Sequence, residues 1–153
     1  MNKFLPFMFM VCLLLGAKPA LACDCVGPRG KAALANAKVA FSGKVIKIKY
    51  LDNPEQKDPE PRIIVTFRVY RVWKGVLRKT IVLNTVFNKW TCNGYWFKEG
   101  EEYLVFARAN EAATAKMFRK EKNTLGVWTC GGTFPLTDAQ ADVNDLGAGK
   151  API

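Results

Sequence analysis

The sequence predicts a small, mainly β protein: five short strands closed into a barrel, with a short helix at each end. Three observations carry that prediction. Five apolar segments between Val39 and Thr129 have the residue types and lengths of strands, and three of them alternate with the period of two that marks a half-buried strand. The first segment changes phase beside Gly43, which is how a bulged strand bends around a barrel corner. The chain has 153 residues, enough for one domain.

Residues 1–22 come first and are read apart from the fold. Lys3 is followed by an apolar run from Phe4 to Ala17 and by the small-x-small triplet Ala20-Leu21-Ala22. This is the layout of a signal peptide cleaved after Ala22, so export to a periplasm or to the outside is expected. The apolar run is too short to span a bilayer comfortably, and no later stretch is long enough, so no membrane span is expected. A lipoprotein is the rival processing. It usually places Leu three residues before the cysteine, where this chain has Ala20. Cleavage after Ala22 makes Cys23 the first mature residue. The domain is then 23–147, followed by a frayed tail, Ala148–Ile153.

Gly27 to Lys38 has Pro28 near its start and an Ala-rich run after it, the pattern of a short helix. Val39–Tyr50 is the first strand. Phe41, Gly43 and Val45 alternate, then the phase slips to Ile46, Ile48 and Tyr50. Leu51–Pro61 holds three prolines and forms a long exposed loop. Ile63, Val65, Phe67 and Val69 mark the second strand, running on toward Trp73 and a turn at Lys74-Gly75. Ile81, Leu83, Thr85 and Phe87 mark the third. Tyr103–Ala107 is apolar on both faces and is therefore central. Ala109–Asn123 carries Lys116, Arg119, Lys120 and Lys122 and reads as a solvated loop. Leu125, Val127 and Thr129 mark the fifth strand. Thr137 and Gln140 have capping-box spacing, and Leu146-Gly147 fits a helix end, so a short C-terminal helix is expected. Strands, bulge and flanking helices together suggest the five-stranded oligonucleotide/oligosaccharide-binding barrel.

Composition narrows the chemistry. There is no histidine, so neither a Ser-His-Asp nor a Cys-His nucleophile can be built, and the carboxylates are scattered among basic residues. An enzyme is not expected, nor a cofactor. Of five cysteines, Cys12 leaves with the signal, and Cys23, Cys25, Cys92 and Cys130 remain. An even number in an exported chain predicts two disulfides. A bridge between Cys23 and Cys25 would be strained, which leaves two long-range pairings open. Each bridge closes a long loop, worth about 4 kcal/mol in the chain-entropy model. A zinc site of the protein's own is disfavoured, because the spacing lacks paired Cys-x-x-Cys knuckles.

The net charge is +10, and +8 after Ala22, with 21 Lys and Arg against 13 Asp and Glu. Acidic partners are favoured, an acidic glycan or protein among them. Phe67, Trp73 and Trp96 could in principle stack on bases. They read better as core aromatics of a small barrel, and export argues against nucleic acid.

The motifs, taken together, resemble a known family. They are Cys23-x-Cys25; Phe41-Ser42-Gly43-Lys44-Val45; Trp73-Lys74-Gly75; Cys92-Asn93-Gly94; Phe97-x-x-Gly100 leading into Tyr103-Leu104-Val105-Phe106; and Cys130-Gly131-Gly132-Thr133 leading into Pro135-Leu136. In this order, behind a signal peptide, they resemble the netrin-like module and, within it, the inhibitory domain of the tissue inhibitors of metalloproteinases. The resemblance implies the pairing Cys23–Cys92 and Cys25–Cys130. It implies a monomer that inhibits zinc metalloproteinases in trans, the α-amine and carbonyl of Cys23 ligating the protease zinc in place of its water. Asp24, Cys25 and Val26 would be protease contacts, with the 51–61 loop beside them. The family's third bridge and its C-terminal subdomain have no counterpart here. Asp24 stands where the family typically has Thr or Ser. A carboxylate there either weakens binding to an apolar pocket or selects a basic one, and the alternative expectation is a non-inhibitory netrin-like module whose basic face binds an acidic glycan or a protein partner.

Overall fold

In the computed structural model, which describes residues 26–51, 62–88, 93–109 and 124–153, the strands form a nearly closed antiparallel barrel. Its staves are β1 (Val39–Tyr50), β2 (Arg62–Lys74), β3 (Thr80–Asn88), β5 (Glu102–Ala109) and β6 (Leu125–Gly126). They lie side by side in the order β3-β2-β1-β5-β6. A two-residue strand β4 (Asn93–Gly94) extends β3, and β7 (Phe134–Pro135) pairs with β5 at Leu104 and Tyr103. Between β3 and β6 the ladder does not close. Thr85 Oγ1 instead donates to the carbonyl of Val127 at 3.1 Å across the seam.

Alternation decides what faces in. Ile63, Val65, Phe67 and Val69 of β2 and Ile81 and Leu83 of β3 point into the barrel and are buried. Phe67 sits at the centre, edge-to-face with Phe41, Phe97 and Tyr103. The central strand is buried on both faces, as its sequence predicts. Tyr103, Val105 and Ala107 join the barrel core, while Leu104 and Phe106 meet a second cluster under the helices. The helices are α1 (Gly30–Asn36) and α2 (Gln140–Leu146), with one 3-10 turn, Leu136–Asp138, ahead of α2. Among the described residues no helix is long and apolar enough to cross a membrane.

Several expectations are corrected. The phase change in β1 is a bulge, but Ile46 does not turn inward. The register jumps from Val45↔Phe67 to Lys47↔Thr66, so Ile46 is the extra residue and stays 45% exposed. Tyr50 is also exposed, and only Ile48 packs against the core. The fifth strand is two residues long, because the chain turns at Trp128, whose carbonyl accepts the N–H of Gly131 at 2.9 Å. Helix α1 starts at Gly30, because Arg29 is extended. Thr137 does not cap α2. Its hydroxyl donates to Asp138, Ala139 holds the cap position, and Gln140 Nε2 donates to the Leu136 carbonyl. The helix does end at Gly147, with φ +79°.

The tail is docked rather than frayed. Val72 and Lys150 exchange both backbone hydrogen bonds, at 2.9 and 2.8 Å. Trp73 Nε1 donates to the Gly147 carbonyl, and Gly149 lies against the indole ring. The tail thereby covers the part of β2 that β3 is too short to reach. Residues 52–61, most of the expected loop, lie outside the described residues, as do 110–123.

The two helices are tied by carboxylates of α2. Asp142, its side chain 3% exposed, accepts hydrogen bonds from Arg29 Nη2 at 2.6 Å, Arg29 Nε and the Gly30 N–H at 2.7 Å. Asp145 accepts the Lys31 N–H at 2.8 Å. These supply the caps that α1 lacks locally. Asp142→Ala leaves the buried Gly30 N–H unpaired and leaves Arg29 held only by the Asp138 carbonyl and the Phe134 ring. The expected loss is about 2 kcal/mol, read as a shifted urea midpoint with unchanged slope; a midpoint shift within error would remove Asp142 as the tie.

Candidate functional site

One end of the barrel brings together the segment that leads into α1, the turn 128–132 and the segment after β4. The contacts are backbone to backbone. A Cβ on Gly27 would lie 2.7 Å from the Cys130 carbonyl oxygen. A Cβ on Gly132 would lie 2.6 Å from the Pro28 carbonyl oxygen and 2.8 Å from Ala33 Cβ. Gly132 also has φ +88°, which disfavours any residue with a side chain. The two glycines therefore let the entering chain lie directly on the turn. Thr133, fully buried, fixes the turn to β5 by accepting the Phe106 N–H at 3.2 Å. Thr129 Oγ1 donates to the Gly94 carbonyl, which ties β4 to the same turn.

Beyond β4, Tyr95 packs its ring on Phe97 and Tyr103. Trp96, next in the chain, is 57% exposed. Tyr103 lies below, its hydroxyl accepting the Lys98 N–H at 3.0 Å and donating to Glu101 Oε2 at 2.8 Å. Burial, and secondly the Glu101 carboxylate, push the Tyr103 phenol up to about 12. The same hydrogen bond, helped by Lys98, holds Glu101 below its ordinary 4.5. The Lys31 N–H, helped by the Lys31 side chain, holds Asp145 below its ordinary 3.8. A carboxylate depressed in the folded state contributes stability that is complete above its unfolded value and is lost as pH falls through the folded one. Melting temperature is therefore expected to be flat above about pH 5 and to fall below pH 4, more shallowly in a Glu101→Gln, Asp145→Asn double variant. Equal slopes in the two proteins would show that other groups govern acid unfolding.

The expected site residues divide cleanly. Cys23, Asp24, Cys25 and Cys92 lie outside the described residues. Val26 is described and stands fully exposed, where the chain enters the domain. Cys130 is disulfide-bonded, and the other four cysteines all lie outside the described residues. Phe67 is core, and Trp73 is covered by the tail. Among the described residues no three His, Cys, Asp or Glu side chains stand together as metal ligands. What the sequence reading did not find is the role of Gly27, Gly132 and Thr129. The Cys130-Gly131-Gly132-Thr133 motif held the signal, but glycines read only as turn formers do not reveal which chain passes against them.

The arrangement is a braced exit. The chain leaves the domain through Gly27 and Val26 from a point fixed by the turn, the buried Thr133 and the disulfide-bonded Cys130. Such a platform holds residues 26–28 in one orientation, with little ordering left for a partner to impose there. No family model matches this chain, and no curated protein matches it.

Proposed function

We propose that the protein is an exported inhibitor of zinc metalloendopeptidases, acting through the α-amine and carbonyl of Cys23. The observation that carries this reading is the stacking of Gly27 on the carbonyl of the disulfide-bonded Cys130. Cys25 is two residues from Gly27, a reach of about 7 Å at most. That supports a Cys25–Cys130 bridge. The Thr129 hydrogen bond to Gly94 brings the turn beside the strand that follows Cys92, which supports Cys23–Cys92 as the second bridge. The strand order β3-β2-β1-β5-β6, with the seam between β6 and β3, supports an oligonucleotide/oligosaccharide-binding barrel as the scaffold.

In this reading the residues act as follows. Cys23, held by its bridge, offers an amine with an ordinary pKa near 8, so zinc displaces only one weakly held proton at neutral pH. Its carbonyl supplies the second ligand, and the pair occupies the coordination position that water holds in the free protease. Asp24 enters the specificity pocket and favours a target with a cation there. Cys25, exposed Val26 and the 51–61 loop line the rim. The inhibitor needs no metal or cofactor of its own.

Two forms test it, one beginning at Cys23 and one with an extra Ala before it, titrated against zinc endopeptidases that include some accepting basic side chains. The extra residue turns the amine into an amide, which cannot ligate zinc in the same way. Inhibition by the first form and at least a ~100-fold loss in the second is the expected result, since ligation geometry of this kind tolerates little displacement. Equal potency of the two forms overturns the mechanism.

A further inference from the structure

The bulge in β1 does more than bend the strand. Because Ile46 is the extra residue, Lys47 falls into the same outward phase as Lys44, and Lys49 follows two residues on. Without the bulge, Lys47 and Lys49 would point into the barrel. On the neighbouring strand Arg68 lies directly opposite Lys44. The four cations make a strip about 16 Å long on the outer face of the sheet, at about 3.3 Å per residue. None of the four forms an ion pair among the described residues. Two carboxylates lie nearby, and each has a hydrogen-bond donor of its own. Glu102, opposite Lys44 on β5, accepts from Tyr70 Oη at 3.0 Å, and Glu99 Oε1 accepts the Ile48 N–H. Like charges placed directly across a ladder destabilise it. Lys44 and Arg68 carry that penalty, and Glu102, across from Lys44 on its other side, offsets only part of it.

We propose that this strip is a docking site for a linear acidic polysaccharide, held by Lys44, Lys47, Lys49 and Arg68. Charge complementarity selects an anionic chain, and the one-strand width selects a linear one. Lysines are compact, hydrated point charges that suit sulfates and carboxylates at variable spacing. A single-stranded nucleic acid would want rings to stack on. The other residues in these rows are Ile64, Thr66, Thr80, Val82 and the buried Asn84; of the two exposed rings nearby, Tyr70 has its hydroxyl bonded to Glu102, and Tyr50 lies opposite the inward-facing Ile63, out of phase with the strip. The proposal uses none of the residues that carry the inhibitory reading, and its test contains no protease, so the two hold or fail independently.

The test measures binding of the whole chain to heparin at fixed salt. Lys44→Gln, Lys47→Gln, Lys49→Gln together should weaken it by about 30-fold, at a modest contribution per charge. A control that removes the same charge elsewhere, Lys38→Gln, Arg108→Gln, Lys150→Gln, should change it by less than about threefold. Equal losses in the two variants, or no binding by the unaltered chain, would overturn the proposal. So would tighter binding to DNA, or to vesicles of anionic lipid, than to heparin. A second measurement needs no variant: heparin should protect Lys44, Lys47 and Lys49 from acetylation and leave Lys38 and Lys150 reactive, and the reverse pattern would overturn it as well.

Discussion

Phe67→Ala should destabilise the protein by about 4 kcal/mol, a large part of the 5–15 kcal/mol that holds a typical domain together. The side chain has no exposed surface, and its ring meets Phe41 and Phe97 at 5.2 Å between centroids and Tyr103 at 6.5 Å, all nearly perpendicular. Truncation removes the transfer energy of the ring, opens a cavity, and breaks three edge-to-face pairs at once. β1, β2 and β5 each contribute to this cluster, so the barrel cannot relax into the space without moving three ladders. The expected fall in melting temperature is about 12–20 °C by circular dichroism. Val76→Ala, at a mainly exposed position, should change stability by no more than about 0.5 kcal/mol. A fall of only a few degrees for Phe67→Ala would show that the aromatic cluster is not what holds the barrel shut.

That core was legible because strands write their burial into the sequence with a period of two. Ile63 to Val69 and Ile81 to Thr85 did so directly, and the double-sided apolarity of Tyr103–Ala107 marked the strand that carries both the barrel and the helices. The features missed have no local signal. β4 and β7 are two residues each, too short to show a period. The cap of α1 comes from Asp142 and Asp145, more than a hundred residues away. The Thr137–Gln140 spacing was a true local pattern, overridden when residues 136–138 closed a 3-10 turn that gives Gln140 a different acceptor. Docking of the tail depends on β3 beginning only opposite Arg68 and leaving β2 an open edge at Val72, which no stretch of the tail itself records. The candidate site was legible only in part. Cysteine number and position after Ala22 pointed to the Cys23 segment, which lies outside the described residues; the packing of residues 26–28 on the turn depends on two glycines whose partners lie across the fold.

Those glycines yield the prediction that separates scaffold from site. Gly132→Ala places a methyl group 2.6 Å from the Pro28 carbonyl oxygen at a backbone φ of +88°. Gly100→Ala imposes a similar φ, +83°, with nothing within 4 Å. Gly100→Ala should therefore cost about 1 kcal/mol, for backbone conformation alone. Gly132→Ala should cost about 3–4 kcal/mol, because backbone atoms must also move. The movement has one direction open to it, which is away from the turn for residues 26–28 or away from the entering chain for the turn. Either one shifts the exit of the chain relative to Cys130. If the braced terminus is what a protease recognises, Gly132→Ala should weaken inhibition by about tenfold or more at a temperature where the variant is still folded, since small displacements of ligating groups are costly. Gly100→Ala should leave inhibition unchanged at the same temperature. Equal destabilisation by the two substitutions would remove the close contact from the account, and a strongly destabilised Gly132→Ala that still inhibits fully would show that inhibition does not depend on how the turn positions residues 26–28.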